Sequence, residues 1–171
     1  MSVFIRFERP VDVDAIHALT ASAFRDAPHS GQTEPFIVDG LRNDHALTLS
    51  MVADDSGELV GHVAVSPVRL GDGNARWYGL GPVSVAPDRQ GEGLGSRLVR
   101  AALTRLKEDG AAGCVVLGEP AYYARFGFRV GLGPVLPGVP PAYFMALPFG
   151  QAVPAGEVSY HPAFAAGAPV T

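Results

Sequence analysis

Val83-Ser84-Val85-Ala86-Pro87-Asp88-Arg89-Gln90-Gly91-Glu92-Gly93-Leu94-Gly95 is the stretch on which the fold of this chain turns. An apolar strand runs into a proline turn and then into a polar loop with glycine at every second position. From there Leu94, Leu98, Val99, Ala102, Leu103 and Leu106 draw one helical stripe. Such a strand–loop–helix junction suits an anion. The first amides of a helix lack intrahelical acceptors and lie at the positive end of its dipole, and glycines let a bulky diphosphate approach the main chain. Three glycines here are also compatible with a plain tight turn. Two other phosphate loops do not fit: the glycines alternate instead of following G-x-G-x-x-G, and no lysine supplies the G-K-S/T of a Walker loop.

Working outward, Val3 to Phe7 alternates apolar and polar residues as a strand does. After Pro10 and the acidic Asp12 and Asp14 we expect a helix that buries Ile16, Leu19, Ala23 and Phe24 and ends at Pro28. A shorter one starts at Thr33, with Pro35 in its first turn and Phe36, Ile37 and Leu41 facing inward. Residues 47–53, 59–70 and 77–85 read as an antiparallel meander, with turns at 54–57 and 71–74. Pro67 and Pro82 each remove a ladder donor, so each marks a bend, bulge or edge. Beyond the long helix capped by Gly110, residues 114–117 suit a buried strand and 121–126 a brief helix closing on Gly127. Residues 128–130, 143–147 and 158–160 can add short strands, and the tail after Pro162 should fray. The order implies an α/β chain of the α+β kind: a mixed, mostly antiparallel central sheet flanked by helices, in one domain over residues 1–171.

Thirteen Lys and Arg against seventeen Asp and Glu give a net charge of −4, so no basic field exists to hold nucleic acid. The single Cys114 excludes an internal disulfide, and without clustered His or Cys it builds no zinc site, so no metal is expected. Arg6, Glu8 and Arg9 interrupt any apolar leader, and we expect a cytoplasmic protein. Residues 130–156 carry no charged side chain, but the prolines there, Pro134 to Pro154, forbid a membrane helix; we expect buried loops and short strands instead.

Gln90-Gly91-Glu92-Gly93-Leu94-Gly95 resembles, residue for residue, the Q/R-x-x-G-x-G/A signature of the Gcn5-related N-acetyltransferase family. Tyr122-Tyr123-Ala124-Arg125-Phe126-Gly127-Phe128 resembles the family's second motif, an aromatic helix running into glycine-phenylalanine. The resemblance covers residues 3 to 130, leaves the proline-rich part 131–171 poorly matched, and within the family points to the bacterial YhbS-like branch. It implies the acyl-CoA N-acyltransferase fold, with acetyl-CoA as acyl donor and a small-molecule or peptide amine as acceptor.

By that resemblance, the main chain of Val83, Ser84 and Val85 pairs with the pantetheine arm like a further strand. Gln90, Gly91, Glu92, Gly93, Leu94, Gly95 and Ser96 offer loop amides to the pyrophosphate, with Arg89 or Arg97 at its rim. Tyr123, four residues before Gly127, matches the tyrosine that protonates the departing thiolate, a role open to a phenol that keeps its proton at neutral pH. Tyr122 reads as packing. An amine attacks the thioester directly, and a main-chain amide at the end of the 83–85 strand serves the oxyanion. Cys114, in an apolar strand with no paired base, is structural.

The general base is not evident, because residues 78–85 contain no carboxylate. His62 can titrate near neutrality but equally suits a structural strand position; Glu119 follows the 114–117 strand but can equally cap the helix at Pro120; His161 is a further candidate. The alternatives are a noncatalytic acyl-CoA-binding regulatory module, or a transferase for another acyl group or acceptor. Residues 130–156 can supply apolar acceptor walls, and edge strands leave room for a homodimer.

Overall fold

The computed structural model describes residues 2–28, 30–71, 73, 76–150 and 153–165. Its strands are β1 (Val3–Phe7), β2 (Leu49–Asp55), β3 (Glu58–Pro67), β4 (Arg69–Leu70), β5 (Trp77–Val85), β6 (Gly113–Leu117), β7 (Pro134–Val135), β8 (Phe144–Pro148) and β9 (Gly156–Ser159). The helices are α1 (Val13–Phe24), α2 (Glu34–Asn43), α3 (Leu94–Glu108) and α4 (Pro120–Tyr123). The main sheet runs β1-β2-β3-β5-β6-β8, and only β5 and β6 are parallel in it. A parallel neighbour needs a long crossover, which α3 provides.

α3 covers one face of the sheet. Its buried stripe is Leu94, Leu98, Val99, Ala102, Leu103 and Leu106, the set that helical periodicity picks out in the sequence, packed on Met51, Ala53, Val63 and Val65. The opposite face is closed by α1 and α2 through Ile16 and Val38 on Val52 and Ala64. Beside them a small sheet, β4-β9-β7, sets Leu70 and Val158 in one cluster with Trp77 and Val115 of the main sheet.

Several boundaries differ from the sequence expectation. β2 extends to Asp55 because the hairpin turns within Ser56 and Gly57, both left-handed, and Asp54 accepts the Gly57 amide at 2.7 Å. The expected 59–70 strand breaks after Pro67, and Arg69–Leu70 joins the small sheet. At Pro82 the register slips: Val63 pairs with Val83 and Val65 with Leu80, so Gly81 and Pro82 stand outside the ladder. Phe36 is 49% exposed, since Ile37, Val38 and Leu41 occupy the inward face of α2. α1 ends at Phe24, short of Pro28.

Residues 128–130 form a single bridge, Arg129 to Ala146, instead of a strand. Tyr143 lies in the 3-10 turn before β8, and Tyr160 lies beyond β9. Within 130–156, Val130, Val135 and Tyr143 are exposed rather than buried. The tail expected to fray forms a 3-10 turn at Pro162–Ala165, where Ala163 is buried against Ile37 and Leu41. Asp72 and Asn74 of the expected turn, and residues 166–171 of the tail, lie outside the described residues. No helix among the described residues is long and apolar enough to cross a membrane.

Candidate active site

β5 pairs with β6 only at Trp77, Tyr78 and Gly79, yet continues to Val85. Beyond Gly79 the two strands part, and the β6-facing side of the β5 main chain has no strand partner. Its other side stays paired to β3 through Val83, Ser84 and Val85. Val83 and Val85 pack on the α3-side core while Ser84 is buried on the opposite face, so the side chains serve the core and the main chain faces the gap.

Two pockets lie along this gap. The first, of about 430 Å³, is bordered by Val85, Arg89, Gln90, Gly91, Gly93, Leu94, Gly95, Ser96, Tyr122 and Arg125. Gly91 and Gly93 hold φ of 82° and 84°, values that L side chains rarely adopt, and open space lies where a Cβ would stand. A ligand can therefore reach this main chain at the N-terminus of α3, the geometry and polarity that suit a diphosphate.

Three side chains brace the loop. Arg89 pairs with Asp55 at 2.8 Å and with Glu92 at 3.1 Å, contacts that hold its guanidinium charged, and its Nη2 has no partner among the described residues. Gln90 Nε2 donates to the Val85 carbonyl at 3.3 Å. Ser96 Oγ lies 3.3 Å from the Tyr122 hydroxyl. Arg97 is turned away, donating to the Val3 carbonyl at 2.8 Å, so it ties α3 to β1 and does not border the pocket. Tyr122 and Arg125 do border it: the Arg125 guanidinium stacks 4.4 Å from the Tyr122 ring centroid and donates through Nε to the Tyr122 carbonyl. Both fall within the second sequence motif, where a tyrosine and an arginine three residues apart on one helical turn were the available signal.

The second pocket, of about 520 Å³, begins where the strands part. Leu80, Gly81, Pro82 and Val83 of β5 form one wall, and Leu117 and Tyr123 a second. Phe24, Glu34, Ile37, Leu136, Tyr160 and Phe164 complete it. Tyr123 is fixed by edge contacts to Tyr122 and Phe128, with centroids 5.0 and 5.9 Å away, and by Gly118, where a Cβ would come within 2.5 Å of its ring. Burial first, then Tyr122 and Cys114, push its phenol up to about 12. Its proton is therefore retained at neutral pH. Gly127, with φ of 99°, closes the turn that carries Tyr123 by donating to the Ala124 carbonyl at 3.0 Å.

The sequence candidates for a base do not converge on this pocket. His62 is fully buried on β3, and burial pushes it down to about 4, too low to take a proton from a substrate at neutral pH. Its Nε2 lies 2.8 Å from Ser50 Oγ, and the Ser50 hydroxyl donates to Glu8, which Arg42 holds at 2.8 Å. Since Glu8 accepts the serine proton, Nε2 carries the imidazole proton and Nδ1 is the bare nitrogen, without a partner among the described residues. His62 is a core histidine.

Glu119 is exposed; its main-chain carbonyl, and not its side chain, starts α4 by accepting the Tyr122 and Tyr123 amides. His161 pairs with Asp44 at 3.3 Å and accepts the Ala163 amide, which commits it to the C-terminal turn. Cys114 is wholly buried, and burial raises its thiol far from the range of a thiolate nucleophile. What the sequence did not single out is Glu34, which lies in the second pocket, at the first turn of α2. Among the described residues, no group of three or more His, Cys, Asp or Glu side chains is placed to hold a metal ion.

A six-stranded mixed sheet that opens between its parallel pair, beside a glycine loop at a helix N-terminus, defines an acyl-CoA-type transferase fold. The acetyltransferase (GNAT) domain matches residues 5–131, and the chain belongs to this family. It is 40% identical over 129 residues to the uncharacterized N-acetyltransferase YhbS of Escherichia coli strain K12, covering 75% of this chain and 74% of that protein. A GNAT family acetyltransferase from Brucella melitensis, solved in complex with acetyl-CoA, superposes with a TM-score of 0.86 and 49% identity over 95% of this chain and 98% of that one. E. coli YhbS, solved in complex with CoA, superposes with a TM-score of 0.83 and 35% identity, covering 95% of this chain and 91% of that one.

Proposed function

We propose that this chain moves an acetyl group from acetyl-CoA to a primary amine by direct attack on the thioester. The observation that carries the proposal is that the pocket at the glycine loop and the pocket that holds Tyr123 both border the same stretch of β5 past Gly79, at Val85 and at Leu80 to Val83. The β6-facing main chain of that stretch has no strand partner among the described residues and forms the floor between the two pockets. A strand-like pantetheine arm fits that floor through main-chain hydrogen bonds, with the pyrophosphate on the amides of Gln90 to Ser96. The complexes of the two structural relatives with acetyl-CoA and CoA support the same donor here. A cytoplasmic setting, with its supply of acetyl-CoA and reducing conditions for Cys114, fits this chemistry.

In the reaction, the amine nitrogen bonds to the thioester carbon as the C–S bond breaks. A main-chain amide of the β5 segment 80–83 faces the developing oxyanion. Tyr123, which keeps its proton because burial holds its phenol near 12, donates it to the leaving thiolate and is reprotonated by the proton shed from the attacking nitrogen. Residues 1–171 act as one N-acetyltransferase domain, a unity supported by the core that the 131–171 part shares with Trp77 and Val115.

The test is calorimetric titration with acetyl-CoA, dephospho-CoA and a nicotinamide dinucleotide, followed by amine-dependent CoA release from wild type and Tyr123→Phe. Selective binding of acetyl-CoA is expected. Loss of the phenol should lower kcat by about a hundredfold or more, the usual contribution of a positioned acid, with acetyl-CoA affinity retained. Absence of acetyl-CoA binding would remove the proposal, and unchanged turnover in the variant would remove Tyr123 as the acid.

A further inference from the structure

We infer that the acceptor is a cationic amine carried on an apolar, aromatic-sized body, and that Glu34 selects it; this rests on the acetyltransfer reading above. The pocket that holds Tyr123 is walled by Phe24, Ile37, Leu136, Tyr160 and Phe164, and Glu34 is the one formally charged side chain among the described residues lining it. Glu34 is half-buried, so its carboxylate meets both the apolar lining and whatever enters the cleft. The described contact to the Glu34 carboxylate is the Ser30 hydroxyl, 2.8 and 3.0 Å from its two oxygens. One hydroxyl proton satisfies one of about four lone-pair sites, so the carboxylate is steered and still has capacity for a donor-rich partner.

An ammonium group supplies three such donors and the opposite charge, and it sheds one proton to solvent before its nitrogen attacks the thioester. A second observation points the same way. Tyr160 lines the same cleft with its ring, while its hydroxyl is buried away from the surface. The ring packs edge-on to Phe164 at 4.8 Å, which makes an aromatic wall. A ligand with a flat apolar body and one cationic end matches that wall and Glu34 at once.

The same geometry says what is rejected. An amine that bears its own carboxylate meets like charge at Glu34, and a polyamine must bury further charges against Phe24, Leu136 and Phe164 without partners. Among the described residues, the apolar acceptor wall expected of residues 130–156 draws from that stretch on Leu136 alone; the remainder is contributed by α1, α2, β5, β6, α4 and residues past β9.

The experiment is calorimetric titration of the CoA-loaded protein with four probes: 2-phenylethylamine, phenylalanine, 2-phenylethanol and spermidine. The first should bind at least tenfold more tightly than the others. Glu34→Gln should weaken it tenfold or more, leave CoA affinity unchanged, and abolish the discrimination against phenylalanine. Equal affinity of wild type and Glu34→Gln for 2-phenylethylamine would overturn the role of Glu34. Preference for spermidine, or no binding of 2-phenylethylamine, would overturn the acceptor class. In each of those cases intact CoA binding would leave the acetyltransfer proposal standing, whereas failure to bind CoA would take both down.

Discussion

Mild acid should destabilise this protein chiefly through one residue that we give no part in the chemistry. His62 is fully buried, and burial, opposed by Glu8 and reinforced by Arg42, lowers it from 6.5 to about 4. A histidine whose folded value is depressed adds stability that is present above its unfolded value and is lost as pH falls toward the folded one, because the unfolded chain binds the proton first. The window therefore runs from 6.5 down to about 4. The full separation is worth about 3.4 kcal/mol, and the part expressed between about pH 8 and about pH 4.5 is about 2.5 kcal/mol. That is a large share of the roughly 5–15 kcal/mol that folded domains hold in total.

The assay is urea unfolding of wild type and His62→Gln across that interval. Wild-type stability should fall by about 2–2.5 kcal/mol more than that of the variant, since glutamine keeps a polar group beside Ser50 but does not titrate. Comparing the two slopes cancels the other histidines. The carboxylates of Asp12 and Asp54, held low by Arg6 and the Gly57 amide among other contacts, contribute their losses at still lower pH. Parallel slopes for the two proteins would refute the reasoning: His62 would then be reaching water, and its exclusion as a base would fall with it.

Two further perturbations test the cleft and its loop. Gly118→Ala puts a methyl within 2.5 Å of the Tyr123 ring, so we expect a loss of about 1–3 kcal/mol in thermal or urea unfolding from overpacking, together with a drop in kcat as Tyr123 is displaced. Unchanged stability and turnover would mean that Tyr123 is not fixed from this side. Arg89→Ala removes the pairs to Asp55 and Glu92, and the looser loop should bind acetyl-CoA on the order of tenfold more weakly by calorimetry, with the melting temperature little changed. An unaltered affinity would reduce Arg89 to a surface ion pair.

What could be read in advance was local. The α3 stripe follows from a period of 3.6, and the loop before it from glycines whose positive φ the chain needs at Gly91 and Gly93, so both are written in consecutive residues. The hairpin at Ser56 and Gly57 was misplaced because the Asp54 and Asp55 side chains look like turn residues, whereas Arg6 from β1 and the Gly57 amide keep Asp54 in the ladder. His62 was open to a catalytic reading because composition does not report burial. The Ser50 and Glu8 partners that make it a core residue lie far off in the sequence, on β2 and just past the end of β1. Glu34 carried no motif at all. Its neighbours Phe24, Tyr123, Tyr160 and Phe164 come from separated segments, and only the packing of α1, α2 and the C-terminal turn on the sheet brings them into one cleft.

The site arises from a defect in the sheet. A parallel strand pair normally continues until one strand ends, because each unpaired amide or carbonyl withdrawn from water costs about 1–3 kcal/mol. Here β5 runs on to Val85 after its pairing with β6 stops at Gly79, and Pro82, which has no amide to donate, sits at the register slip opposite. β6 is held away by its own antiparallel partner, β8, which pairs along its whole length from Gly113 to Leu117. The Gly118 amide donates to the Tyr143 carbonyl just beyond it. The fold thus keeps β6 satisfied on one side while leaving β5 open on the other. On the function proposed above, a ligand that offers alternating amide donors and acceptors at strand spacing would repair that edge, and the residues that flank the defect are the glycine loop beside Val85 and Tyr123 beside Leu80 to Val83.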